Sequence, residues 1–230
     1  MKSRMIMGIL SLVLMFSLLF SLSGCGASVR AADLMAGVKA SGVSADVDLT
    51  GGDSTAIAGF AVKLFQSSVP AAKNTLVSPL SVLCALAMTA NGAKGETLTQ
   101  MEDAFGLSVQ ELNGYLHTYL ERLPSGDKYK LSVADSIWFR DDGKLTVEQS
   151  FLQTNADYYG ASIYKAAFDE GTLKDINAWV SDNTDGMIQN ILDKIPDRAV
   201  MYLINALAFD AEWDNIYKES QGHDGAFTTE

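Results

Sequence analysis

The 230-residue sequence predicts an α+β fold. Three observations carry that reading. Helical patterns fill the first part of the body, after which strands and helices alternate. Residues 131–139 alternate strictly, with Leu131, Val133, Ile137 and Phe139 on one side and Ser132, Ala134, Ser136 and Trp138 on the other, which is the period of a strand. Residues 200–209 form a long apolar run rich in strand formers and read as a central strand. With 48% apolar and 9% aromatic residues the chain can build a core, which excludes wholesale disorder. A net charge of −11 excludes a nucleic-acid partner, because a polyanion would be repelled. Two cysteines cannot make a disulfide framework. The two histidines, His117 and His223, are far apart in sequence. They leave little material for a metal site or a catalytic triad, so neither an enzyme nor a cofactor or metal is expected.

The elements follow in order. Ile57, Phe60, Ala61, Leu64 and Phe65 fall on one face of a helix that ends before Pro70. Ser78-Pro79 opens the next helix, Ser as N-cap and Pro at the first helical position, where no N–H is needed. This helix is apolar nearly all round as far as Ala90, so it should be buried, and Asn91-Gly92 ends it. Further helices are expected over 95–104, stopped by Gly106, and over 109–123, stopped by Pro124-Ser125-Gly126. Both faces of the 131–139 strand are largely apolar, which places it inside a covered sheet. Asp141-Asp142-Gly143 is its turn. A helix over 147–159 ends at Gly160, and a short strand spans 161–164. An amphipathic helix over 172–183 carries Leu173, Ile176, Trp179 and Val180, and a second helical turn is expected over 186–192 before Pro196. Residues 213–230 read as a turn and the start of another hairpin. Cys84, inside the apolar helix, reads as a buried small hydrophobe rather than a nucleophile.

The amino end reads as a leader. A basic n-region, Met1-Lys2-Ser3-Arg4, precedes an almost wholly apolar stretch from Met5 to Leu22. Leu22-Ser23-Gly24-Cys25 then resembles a bacterial lipobox at all four positions. The resemblance implies a signal peptide over 1–24 and a diacylglycerol on the sulfur of Cys25, hence a lipid anchor at the outer face of a bacterial membrane. An ordinary secretory signal or an uncleaved anchor would equally place the rest of the chain outside the cytoplasm. Residues 25–53, rich in Ala, Gly, Ser, Val and Asp and without aromatics, are expected to be the lipid-bearing Cys followed by a flexible tether. Residues 54–230 are the folded body.

At Asn74-Thr75-Leu76-Val77-Ser78-Pro79-Leu80-Ser81 the body resembles the serpin family. The likeness continues through Ala85-Leu86-Ala87-Met88, Asn91-Gly92-Ala93 and Thr97-Leu98-Thr99-Gln100-Met101. It returns at Ile176-Asn177-Ala178-Trp179-Val180, Thr184-Asp185-Gly186-Met187-Ile188 and Leu203-Ile204-Asn205-Ala206, with Phe209 and Trp213 at the family's distances. The resemblance covers roughly Thr55 to Glu230. It implies helices packed on a large, mostly antiparallel sheet, and a trap for serine or cysteine proteases. A reactive loop is cleaved as a substrate and then inserts as an extra strand into the sheet, carrying the acylated protease with it. By the same resemblance the 200–209 strand lies beside the insertion point. Ser78, Ser81 and Asn205 match the shutter, where the sheet parts, and Trp213 matches the tryptophan near the loop's entry, the breach. Ser78 reads equally as a plain N-cap, and Trp213 as core filler.

The sequence departs from the family in places. Asp135 stands where Asn is usual, so a buried acid needs a partner there; Met187 replaces a common Lys; Asp210-Ala211-Glu212 replaces a basic-glycine turn. No segment after Trp213 reads as a protease bait, so the reactive loop and the carboxy-terminal half of the fold are expected to be missing from 54–230. The expectation is a partial serpin domain, inactive alone and prone to associate through an exposed apolar strand. The other readings are a non-inhibitory serpin-like protein and a solute-binding lipoprotein that uses Trp179, Tyr158 and Tyr159.

Overall fold

The computed structural model describes residues 29–44, 46–70, 73–124, 126 and 128–226. The leader and Cys25 lie outside the described residues. Eleven elements follow in chain order. They are β1 (Ala32–Asp33), α1 (Gly52–Ser68), α2 (Pro79–Ala90), α3 (Gly95–Phe105), α4 (Val109–Glu121), β2 (Tyr129–Arg140), α5 (Gln149–Tyr159), β3 (Ser162–Ala166), α6 (Glu170–Asn183), β4 (Met201–Ala211) and a 3₁₀ turn (Glu219–Gln221).

Local chemistry sets the helix limits. Ser78 caps α2 with Pro79 in its first turn. Ser108 and Glu111 form a reciprocal capping box at α4. The Asp169 side chain accepts the Thr172 N–H at the start of α6. Helix α3 ends on Gly106 at φ +75°, a left-handed conformation that a side chain would strain.

The sheet has four strands in the order β1-β3-β2-β4. β1 pairs with β3 antiparallel, β3 with β2 parallel, and β2 with β4 antiparallel over eleven partners from Tyr129↔Ala211 to Phe139↔Met201. Along β2 the pleat divides the core. Trp138 points to the face covered by α6, where it packs with Ile176, Trp179, Val180, Ile204 and Ala206. Ile137 and Phe139 point to the opposite face, with Met88 of α2, Leu152 of α5 and Ile163 of β3. A third cluster, including Leu83, Cys84, Phe105, Leu112 and Leu116, binds α1–α4 into one helical layer.

Three expectations change. The tether reading of 25–53 fails from Val29 onward, because the segment is docked. Val29 and Ala31 pack on the α6 cluster, Leu34, Met35 and Val38 on the opposite one, and Val47 and Leu49 on the helical layer. The Asp175 carboxylate accepts the backbone N–H groups of Arg30 (2.9 Å) and Ala31 (3.2 Å), and Asp157 accepts both the N–H and the hydroxyl of Ser41. Sparse aliphatic residues suffice because each meets a ready-made apolar surface.

The 186–192 segment is not helical. Asp185 (φ +50°) and Gly186 (φ +77°) turn the chain out of α6. The Asn177 side chain then holds the following loop, its Oδ1 accepting from Ile191 and Leu192 N–H and its Nδ2 donating to the Leu192 carbonyl. Finally, past Ala211 the described chain forms no hairpin partner for β4, contrary to the hairpin expected over 213–230, and β4 lies at the edge of the described sheet, as expected for the apolar strand of a partial domain.

Candidate functional site

The sequence singled out four body residues, Ser78, Ser81, Asn205 and Trp213, and of these the structure joins only Ser78 and Ser81 to each other. Ser78 and Ser81 meet at the start of α2. The Ser78 Oγ accepts the Ser81 N–H at 3.3 Å, and the two hydroxyls share a hydrogen bond at 2.8 Å. That is the geometry of an N-cap whose first-turn neighbour adds a second contact. Asn205 lies on β4, the strand against which α2 packs, directly opposite Asp135 of β2. Its Nδ2 donates to Asp135 Oδ1 at 2.9 Å. Trp213 stands apart, past the end of β4 and 79% exposed.

The Asp135–Asn205 pair supplies the partner that the sequence demanded for a buried acid. Asp135 is 4% exposed. Burial pushes its carboxyl up to about 6, and the hydrogen bond from Asn205 restrains the rise. The pairing leaves a debt on the amide side, since Asn205 Oδ1 is buried and accepts no hydrogen bond. Thr75 Oγ1, three residues ahead of Ser78, is in the same condition. Orphaned buried polar atoms are uncommon, and here one belongs to Asn205 and the other lies three residues before Ser78.

Sequence reasoning missed a polar network beside this pair. Asn91 at the end of α2, Asn113 of α4 and Asn155 of α5 bond through their amides, and the Tyr159 hydroxyl donates to Asn113 Oδ1 at 2.6 Å. Burial holds the Tyr159 hydroxyl well above its ordinary range, and burial likewise pushes up the Cys84 thiol of α2, which keeps it an inert thiol. The signal was available as one asparagine at a helix end and two inside helical patterns, but nothing in sequence ties the three together.

Between β2, α4, α5 and residues 40–43 lies an open cavity of about 520 Å³, lined by Leu131, Val133, Asp135, His117 and Tyr158 among others. Trp179 is across the sheet in the α6 cluster, so the three aromatics proposed for a solute site do not share one. His117 is spent on structure. Its Nδ1 meets the Tyr158 carbonyl at 3.2 Å and its Nε2 the Val43 carbonyl at 3.3 Å.

Residues 55–230 match the family model described as "Serpin (serine protease inhibitor)". Mouse plasminogen activator inhibitor 1 is 32% identical over 178 residues, covering 73% of this chain and 44% of that protein. Human serpin B9 is 31% identical over 156 residues, covering 64% of this chain and 40% of that protein. Among solved structures, a thermophilic serpin, tengpin, in its native state superposes with a TM-score of 0.77 at 49% identity, covering 84% of this chain and 50% of that one. The same serpin in its latent state gives 0.69 over 76% of this chain. The chain thus spans about half the length of the relatives it matches. The family is one of inhibitors rather than catalysts, and with most of the chain inside the family model and the sheet and helices superposing on a native member, this chain belongs to the serpin family.

Proposed function

We propose that this chain is the amino-terminal part of a serpin-type inhibitor of serine proteases, exported and held at the outer face of a bacterial membrane by a lipid on Cys25. The observation that carries the inhibitor reading is the family match across 55–230. It is supported by the superposition on a native serpin 49% identical to it. The protease partner would be engaged through a reactive loop, which no segment of 1–230 resembles. Inhibition is accordingly proposed for a parent protein that carries such a loop, and 1–230 by itself is expected to form no complex with a protease.

In that parent, β4 would border the gap into which the cleaved loop inserts. Ser78, Ser81 and Asn205 would act where α2 meets the parting sheet, and Trp213 near the loop's entry. Short polar side chains suit that place, because they can exchange partners as strands separate. The anchor reading rests on Leu22-Ser23-Gly24-Cys25.

One experiment tests each part. The parent is purified from membranes and incubated with trypsin-like and chymotrypsin-like proteases beside the 1–230 chain. A covalent complex that survives denaturing electrophoresis is expected for the parent and not for 1–230. Cleavage of the parent without a complex overturns the inhibitor reading. Labelled palmitate supplied to the cells should be incorporated into the wild type and not into the Cys25→Ala variant; equal labelling of the two, or none in the wild type, overturns the lipid anchor.

A further inference from the structure

The sheet carries a buried acid facing a half-buried amide that it satisfies only in part. Asp135 and Asn205 are register partners on adjacent antiparallel strands. One bond joins them, from Asn205 Nδ2 to Asp135 Oδ1 at 2.9 Å. The other amide atom, Oδ1, is sealed from solvent and needs a donor. An ionised carboxylate has none to give. A protonated carboxyl has one O–H, and a carboxylic acid beside a primary amide closes an eight-membered ring of two hydrogen bonds. We propose that Asp135 and Asn205 form a proton-operated latch between β2 and β4, closed by two hydrogen bonds when Asp135 holds a proton and reduced to one when it does not.

The surroundings favour the neutral form. Cys84 of α2 and Tyr159 of α5 are close enough to interact electrostatically with Asp135, and both stay uncharged because burial raises them too. Besides Tyr159, the charged or titratable side chains that share its cavity are His117 and Glu121 of α4 and Asp157 and Tyr158 of α5. His117 is turned to two backbone carbonyls and stands 3.7 Å from Glu121, while Asp157 is occupied by Ser41 and Gln153. No lysine or arginine among the described residues lines that cavity to hold the carboxylate ionised. Burial accordingly lifts Asp135 from 3.8 to about 6.

The direction of the pH effect follows. A carboxyl raised in the folded chain keeps its proton between about 6 and 3.8, where the unfolded chain has lost it. Stability therefore rises as pH falls through 6 and levels off below the unfolded value. Above 6 the latch costs stability, so β4 is held less firmly to β2 in neutral surroundings than in mildly acidic ones. This holds whether or not the parent inhibits a protease, and the test below needs no protease.

The full chain and its Asp135→Asn variant are unfolded in urea at a series of pH values from about 7.5 to 5. An amide at 135 can donate to Asn205 Oδ1 and accept from Nδ2 at any pH, so the variant lacks the titration. The folding equilibrium constant of the wild type is expected to gain on the order of tenfold over the variant's across that range. Parallel profiles for the two chains overturn the latch. Should the variant fail to fold, the side-chain amide resonances of Asn205 in the wild type give the answer by NMR. Movement with a midpoint near 6 is expected, and an unchanged position throughout overturns the proposal.

Discussion

Under α6, the buried polar atoms of β2 are closed into a short local bond. Trp138 Nε1 donates to Ser136 Oγ at 3.0 Å, two residues back on the same face, and the indole stacks on Tyr164 with ring centroids 4.4 Å apart. Under α2 and α5, on the other face of the same strand, Asp135 must reach across to β4, and its partner keeps an unsatisfied oxygen. The first face holds its polar groups within one strand, so separating β2 from β4 leaves them intact. The second ties two strands together through side chains, so separation breaks the bond. The α6 face is built to stay, whereas the α2/α5 face is built so that a change of charge or strand spacing is felt.

The largest way to break that contrast is at Trp138, fully buried and central to the α6 cluster. Trp138→Ala should cost about 3–5 kcal/mol, since it removes a large side chain from a face that cannot collapse around the void. Urea unfolding at fixed pH measures it. A loss under about 1 kcal/mol would mean that the α6 face is loosely packed and the contrast wrong.

Ser136→Ala comes next. It keeps the shape of the strand and strands the indole N–H, which should cost about 1–3 kcal/mol. The cost should not vary between pH 7.5 and 5, because neither partner titrates there. A cost that changed with pH as Asp135 does would show the two faces to be coupled through the strand rather than independent.

These differences were only partly legible in the sequence. The α+β class, the start of α2 at Ser78-Pro79 and the end of α3 at Gly106 rest on local chemistry and period, which a sequence displays directly. The need for a partner at Asp135 was also legible, as an acid in an apolar strand. Which residue would answer it was not, because Asn205 lies seventy positions away and the pairing depends on the β2–β4 register. Residues 29–53 misled for a related reason. Their aliphatic residues are too few to suggest a core by themselves, and what holds them is surface already made by other elements. The 186–192 segment carried the spacing of a helix, but two successive left-handed residues and the Asn177 side chain claimed its backbone.

The smallest expected effect concerns Ser78, where the α2/α5 face begins. As a cap, its oxygen satisfies one N–H at the amino end of α2, so Ser78→Ala should cost about 1 kcal/mol and Ser78→Gly only a few tenths. Glycine recovers most of a cap's value because it exposes the same N–H groups to water. It cannot recover the hydroxyl contact with Ser81. Equal costs for Ala and Gly, both above about 1 kcal/mol, would therefore assign Ser78 to the polar contacts at the sheet rather than to the helix end. A normal cap result would leave Asp135 and Asn205 as the polar pair that joins β4 to the rest of the sheet. In that case, changes at Ser78 and at Asp135 should add in the double variant, because residues without a shared partner do not couple.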